Sequence, residues 1–107
     1  MSQTLQLAIE LVARQDVMIS DHGYDELAED GILISDIIAG VADAVMVEDY
    51  PEYHKGPCVL VFQKDHQGQP LHVVWGIPKN AASPAVVATA YRPDVEQWTE
   101  DFMRRKP

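Results

Sequence analysis

PLHVVWGIP at 70–78 and SPAVVATAYRP at 83–93 decide how the rest of the chain can fold. Each run is rich in Val, Ile and aromatic residues and carries a proline at both ends, the composition of a strand with marked limits. The short connection at 79–82 predicts that the two pair antiparallel. The same pair gathers chemistry. His72 rides the first run and Tyr91 with Arg92 closes the second, so three side chains able to handle protons or phosphate come from adjacent strands.

Working outward, the texture upstream is also β. Residues 45–50 and 57–64 read as strands divided by loops that contain Pro51 and Gly56, then Asp65 and Gly68. Four strands with short links predict an antiparallel meander. The chain before residue 45 is helical in pattern. Leu5, Ile9 and Val12 repeat at i, i+4 and i+7 along 2–14, an amphipathic helix. After a short apolar link at 17–19, Ser20 or Asp21 can cap a polar surface helix that Gly31 stops, and Ser35 can cap a third with Ile37, Ile38, Val41 and Ala42 facing inward. Beyond the strands, Asp94 with Gln97 forms a capping-box pattern, and Val95, Trp98 and Phe102 predict the inner stripe of a last helix ending in Arg104, Arg105 and Lys106. The expected fold is therefore α+β: N-terminal helices packed on a four-stranded antiparallel sheet, with a C-terminal helix, in a single domain over 1–107.

Charge limits what such a domain can bind. The formal net charge is −9. Up to Tyr53, Arg14 alone stands against twelve carboxylates, a balance of −11, whereas from His54 onward seven cations meet five acids for +2. That distribution weighs against general nucleic-acid binding, which needs a basic stripe to displace counterions. It favours a basic protein partner, or a second copy of the chain in a homodimer. Cys58, the single cysteine, lies in the apolar run CVLVF and reads as a buried, inert thiol. The absence of a basic-then-apolar start or of any stretch near 18 apolar residues leads to the expectation of a cytoplasmic protein with no membrane association.

His22 and His72 are the candidate acid and base, and Tyr91 with Arg92 the candidate phosphate contacts. Metal-independent cleavage of RNA needs one group to take the 2′-hydroxyl proton, another to protonate the leaving oxygen and a cation on the phosphate. Histidine titrates near neutrality and arginine grips phosphate through two donors. Other readings stay open: His72 as an ordinary strand residue, His22 as a surface residue at a helix start, and Tyr91 with Arg92 as a seal at the sheet edge. Asp21, His22, His54 and His72 are metal-ligand types, but no HExxH, CxxC or EF-hand spacing occurs, and no Gly-rich loop or GxSxG elbow suggests a nucleotide cofactor or a serine hydrolase.

Ser20, His22, Leu27, Gly31, Ile32, Asp36, Ile37, the run Glu48-Asp49-Tyr50-Pro51, Pro70 through Val74, Thr89 through Asp94, and Trp98 occur together in an order that resembles a bacterial family, domain-of-unknown-function family 4258. The resemblance spans about 19–106. It implies a helix-then-sheet fold like that of RelE-type and barnase-like ribonuclease toxins, and an RNase-like ancestry. The family pattern resembles HAxxRMxxRGI where this chain has HGYDELAEDGI, so Glu26 and Asp30 stand where the family usually has arginine. Those reversals raise the cost of bringing phosphate to His22. The resemblance thus leaves two expectations: an RNase-toxin-like domain acting on RNA, or a non-catalytic acidic interaction module, toxin–antitoxin-like or regulatory.

Overall fold

The Ser2 hydroxyl accepts the Leu5 N–H at 3.1 Å and starts a helix, Gln3–Ala13 (α1), which buries Leu5, Ala8, Leu11 and Val12. The structure, a computed structural model, describes residues 2–107. Helix α1 turns its apolar stripe onto the sheet slightly differently from the expected pattern, because Leu11 is buried and Ile9 is only half-buried.

The apolar link at 17–19 is a strand. Val17–Ile19 (β1) runs parallel to the last strand, Ala85–Tyr91 (β5), with Val17 opposite Ala85 and Ile19 opposite Val87. The Ala85 N–H donates to Asp16 O at 3.0 Å and the Ser20 N–H to Val87 O at 3.1 Å, so this short β-branched run satisfies an edge that β5 would otherwise leave bare. Val45–Tyr50 (β2), Cys58–Lys64 (β3) and Pro70–Gly76 (β4) complete the sheet in the order β1-β5-β4-β3-β2. The expected antiparallel meander is present as β2 to β5, and the sheet is corrected from four antiparallel strands to five mixed ones.

Asp21–Asp30 (α2) follows β1 without a loop. Ser20 caps it, accepting the Gly23 N–H at 2.9 Å while its own hydroxyl donates to Ala88 O at 2.9 Å. Gly23 permits that closeness, because a Cβ there would lie 2.8 Å from Val87 O. Gly31, at φ 63°, ends the helix in the left-handed region as its position predicts. The next helix, Ile34–Gly40 (α3), is capped at Leu33, two residues before the expected Ser35, with no side-chain cap bond.

The C-terminal helix does not form. Asp94 does start a turn, accepting the Glu96 N–H on its carboxylate at 2.8 Å and the Gln97 and Trp98 N–H groups on its carbonyl at 3.0 and 3.1 Å. Thr99 N–H then reaches Arg104 O at 2.9 Å and Lys106 N–H reaches Gln97 O at 2.8 Å, closing residues 93–107 into a loop with a Trp98–Arg105 bridge. A helix this short is marginal by itself, and burial of the indole outweighs it. Trp98 is 3% exposed on the sheet, while Val95, placed on the same inner stripe by the sequence pattern, is 64% exposed.

Alternation along β3 and β4 gives the sheet two different faces. Val59, Val61 and Gln63 lie opposite Trp75, Val73 and Leu71, all buried beneath the helices. Gln63 is the polar member of this layer: its amide donates to Ile37 O at 2.9 Å and accepts the Trp75 indole N–H at 2.9 Å. Replacement by Leu leaves both partners unpaired in a dry layer, so Gln63→Leu should lower unfolding free energy by about 2–4 kcal/mol. Urea denaturation checks this, and an unchanged midpoint contradicts it.

Candidate functional site

The second face carries Leu60 and Phe62 of β3 opposite Val74 and His72 of β4. His72 is fully buried there. The Trp98 ring lies 4.4 Å from it, edge to face, with Tyr91 at 5.3 Å and Phe62 at 6.4 Å. Its Nε2 stands 2.8 Å from the Phe102 carbonyl oxygen, which can only accept, so that nitrogen carries the proton. Nδ1 is then the acceptor for the Tyr91 hydroxyl at 3.2 Å. Burial holds the His72 pKa below the ordinary histidine range, against the opposing pull of the Phe102 carbonyl. The ring is therefore neutral and bonded through both nitrogens. Burial likewise raises the Tyr91 pKa.

Arg92 follows Tyr91 and points away from that cluster. Its Nη1 meets Asp65 Oδ2 at 3.1 Å, its Nε donates to Asp30 O at 3.3 Å, and its backbone N–H donates to Asp30 Oδ2 at 3.0 Å. The Asp65 carboxyl is held below the usual carboxylate range, first by the Gln69 backbone N–H and then by the Gln67 N–H and Arg92. Arg92 thus clasps the end of α2 to the β3–β4 turn. Asp30, one of the two acids in the resembled arginine positions, is engaged by it.

His22 lies elsewhere again, exposed at the start of α2 with Nε2 3.6 Å from Glu26 Oε1. It lines a groove of about 750 Å³ on the open part of the second face. Leu60, Val74, Val86 and Ala88 floor this groove, and Tyr50, Tyr53 and Lys55 border it. Of the four sequence-predicted residues, the structure brings His72 and Tyr91 together, directs Arg92 to an acidic clasp and puts His22 on the groove. His72 is not among the residues that line it. Among the described residues no three His, Cys, Asp or Glu side chains converge to hold a metal ion, and no helix is long and apolar enough to cross a membrane.

A family model described as a domain of unknown function, DUF4258, covers residues 19–92, well over half of the chain. The chain belongs to this family. Neither a curated protein nor a solved structure matches it. The DUF4258 match takes in the Ser20 cap, His22 and strands β2 to β5, and it stops at Arg92, just before the loop that roofs His72.

Several important side chains were not singled out by sequence reasoning. Arg105, expected to complement a helix dipole, instead bonds Glu48 at 3.0 and 3.1 Å and lies 4.7 Å over the Trp98 ring. His66, given no role, meets Asp36 at 2.8 Å and ties the β3–β4 turn to α3. Tyr50, Tyr53 and Lys55 fell in a loop and its flank. The available signal was the small and apolar alternation of Cys58, Leu60, Val74 and Gly76, which leaves one face without large polar cover.

The neutral state of His72 sets a pH dependence. Its folded pKa lies below the ordinary value of 6.5, so the unfolded chain binds a proton where the folded one does not. The stability this ring contributes is complete above about pH 6.5 and declines as pH falls from there toward the folded-state pKa. His66, whose pKa the Asp36 carboxylate raises, has the opposite sign and cancels when two proteins sharing it are compared. Urea unfolding over about pH 5–8 should show a steeper acid-side loss for wild type than for His72→Gln, and parallel profiles would refute the assignment.

Proposed function

We propose that this DUF4258 protein is a non-catalytic acidic interaction module that binds a basic protein partner, in an antitoxin-like or regulatory capacity. One observation carries the reading: the outer face of α2 exposes Asp21, Tyr24, Asp25 and Glu29, and among the described residues no cation pairs with these three carboxylates. Tyr24 is 53% exposed amid them and Leu33 is 52% exposed just beyond the helix, an apolar element within an uncompensated field. Such a surface steers a cationic partner and gains contact area from the ring. A second copy of the chain fits it poorly, because acids would face acids. The internal commitments of His72 and Arg92 point the same way.

A second reading is favoured by His22, which borders the groove with Lys55, Tyr50 and Tyr53. In it the protein is an RNase-toxin-like domain acting on RNA by metal-independent acid–base chemistry, in keeping with the family resemblance. His22 then serves as base, while His72 and Tyr91 reach substrate only after residues 93–107 move aside. Arg92 contributes to phosphate binding only by leaving Asp65.

The two readings separate experimentally. Wild-type protein should retain a basic partner in a complex that salt near 1 M dissolves, where the Debye length is about 3 Å, and Asp25→Lys with Glu29→Lys should weaken that complex by at least about tenfold. Undiminished affinity of the reversed protein overturns the module. For the second reading, purified protein in chelator should cleave single-stranded RNA and His22→Ala should abolish cleavage. Intact RNA after incubation with wild type removes it.

A further inference from the structure

The groove has a composition the rest of the molecule lacks. The chain carries 17 Asp and Glu against 8 Lys and Arg, yet no carboxylate is among the groove-lining residues. Lys55 is the one formal cation there, with His22 on the α2 side. Cys58 is kept a neutral thiol by burial, its pKa raised, so it joins the apolar floor.

Gly76 makes the floor concave. It is the last residue of β4, between Cys58 of β3 and Val86 of β5. Its backbone does not demand glycine, since a Cβ there would meet nothing nearer than 3.6 Å, an ordinary van der Waals distance. The hollow is therefore a property of this face and not a by-product of a tight turn. At the turn between β2 and β3, the Lys55 ammonium and the Tyr53 hydroxyl have no hydrogen-bond or ion-pair partner among the described residues.

We propose that the groove binds a single-chain amphiphilic carboxylate, a fatty-acid-like ligand, with its acyl chain across Leu60, Val74, Gly76 and Val86 and its carboxylate at Lys55. The volume of about 750 Å³ lies within the range of small-molecule sites, and a mostly apolar lining with a few polar groups at one border is their usual chemistry. A basic peptide would set its cation beside Lys55. A nucleotide would lay ribose and phosphate oxygens over a floor without donors. The acidic face of α2 uses different residues, so this inference does not depend on the interaction reading.

The test uses the full chain and dodecanoate below its micellar concentration, followed by amide chemical-shift mapping and calorimetry. Shifts should centre on Val74, Gly76, Val86 and Thr89, and affinity should fall about fourfold for each methylene removed from the acyl chain. Dodecanol should bind on the order of tenfold more weakly, and Lys55→Gln should erase that difference. Gly76→Val, which the backbone accommodates, should fill the hollow and weaken dodecanoate by about tenfold or more. Equal binding of alcohol and carboxylate, unaltered binding by the Gly76→Val protein, shifts confined to α2, or preference for uridine 3′-monophosphate at these residues each overturns the proposal.

Discussion

Strand β4 is paired along both edges, and its alternation forces two unlike layers onto one piece of backbone. Leu71, Val73 and Trp75 are fully buried under the helices, so His72, Val74 and Gly76 must emerge on the other side. Among the described residues no helix covers that second face. The chain covers half of it with the loop that follows β5, placing Trp98 and the Phe102 carbonyl on His72, and leaves the other half as a groove. A one-residue slip of β4 would bring the imidazole into the helix layer and Trp75 into solvent, so the register is heavily determined.

The elements whose evidence is local were legible in the sequence. Ser20 and Gly31 mark α2 because capping and a left-handed stop each depend on one residue's own chemistry. The meander from β2 to β5 follows from β-branched runs divided by turn residues, which again is local information. What was not legible depends on partners distant in sequence. Three residues at 17–19 are too few to announce a strand, and become one because β5 offers an open edge 68 residues later. Residues 94–102 carry a helical period, yet His72 and Phe62 supply a burial site that a straight helix would not fill in the same way. The candidate site divides along the same line. Adjacent strands predict the meeting of His72 with Tyr91, whereas the destinations of Arg92 and His22 depend on where α2 runs.

Electrostatics in this chain works by local pairing against a strongly negative background. Arg92 is taken by Asp65 and Asp30, and Arg105 by Glu48, which the arginine holds below the usual carboxylate range. Each pair joins elements far apart in sequence, the first tying α2 to the β3–β4 turn and the second tying the C-terminal loop to β2. Both are partly exposed, so their value lies more in fixing where loops attach than in net stability. Arg92 and Arg105 are thereby withdrawn from other anions while remaining partly exposed, and among the described residues no paired cation dilutes the field of Asp21, Asp25 and Glu29 on α2.

That withdrawal bears on how one fold can host different chemistries. A guanidinium free at the end of β5 would lie near the start of a sheet face and could hold a phosphate, but here it is taken by the Asp65 carboxylate and the Asp30 backbone carbonyl, while the Asp30 carboxylate accepts the Arg92 backbone N–H, and the three bonds close an internal clasp. The imidazole of His72 is in a comparable position. Bonded through both nitrogens beneath Trp98, it orders the loop that covers it. These arrangements draw on residues inside the family match, Asp30 and Asp65, and on residues 93–107 beyond it. The strands can therefore keep their register while the end of α2, the β3–β4 turn and the C-terminal loop set which partners the polar groups meet.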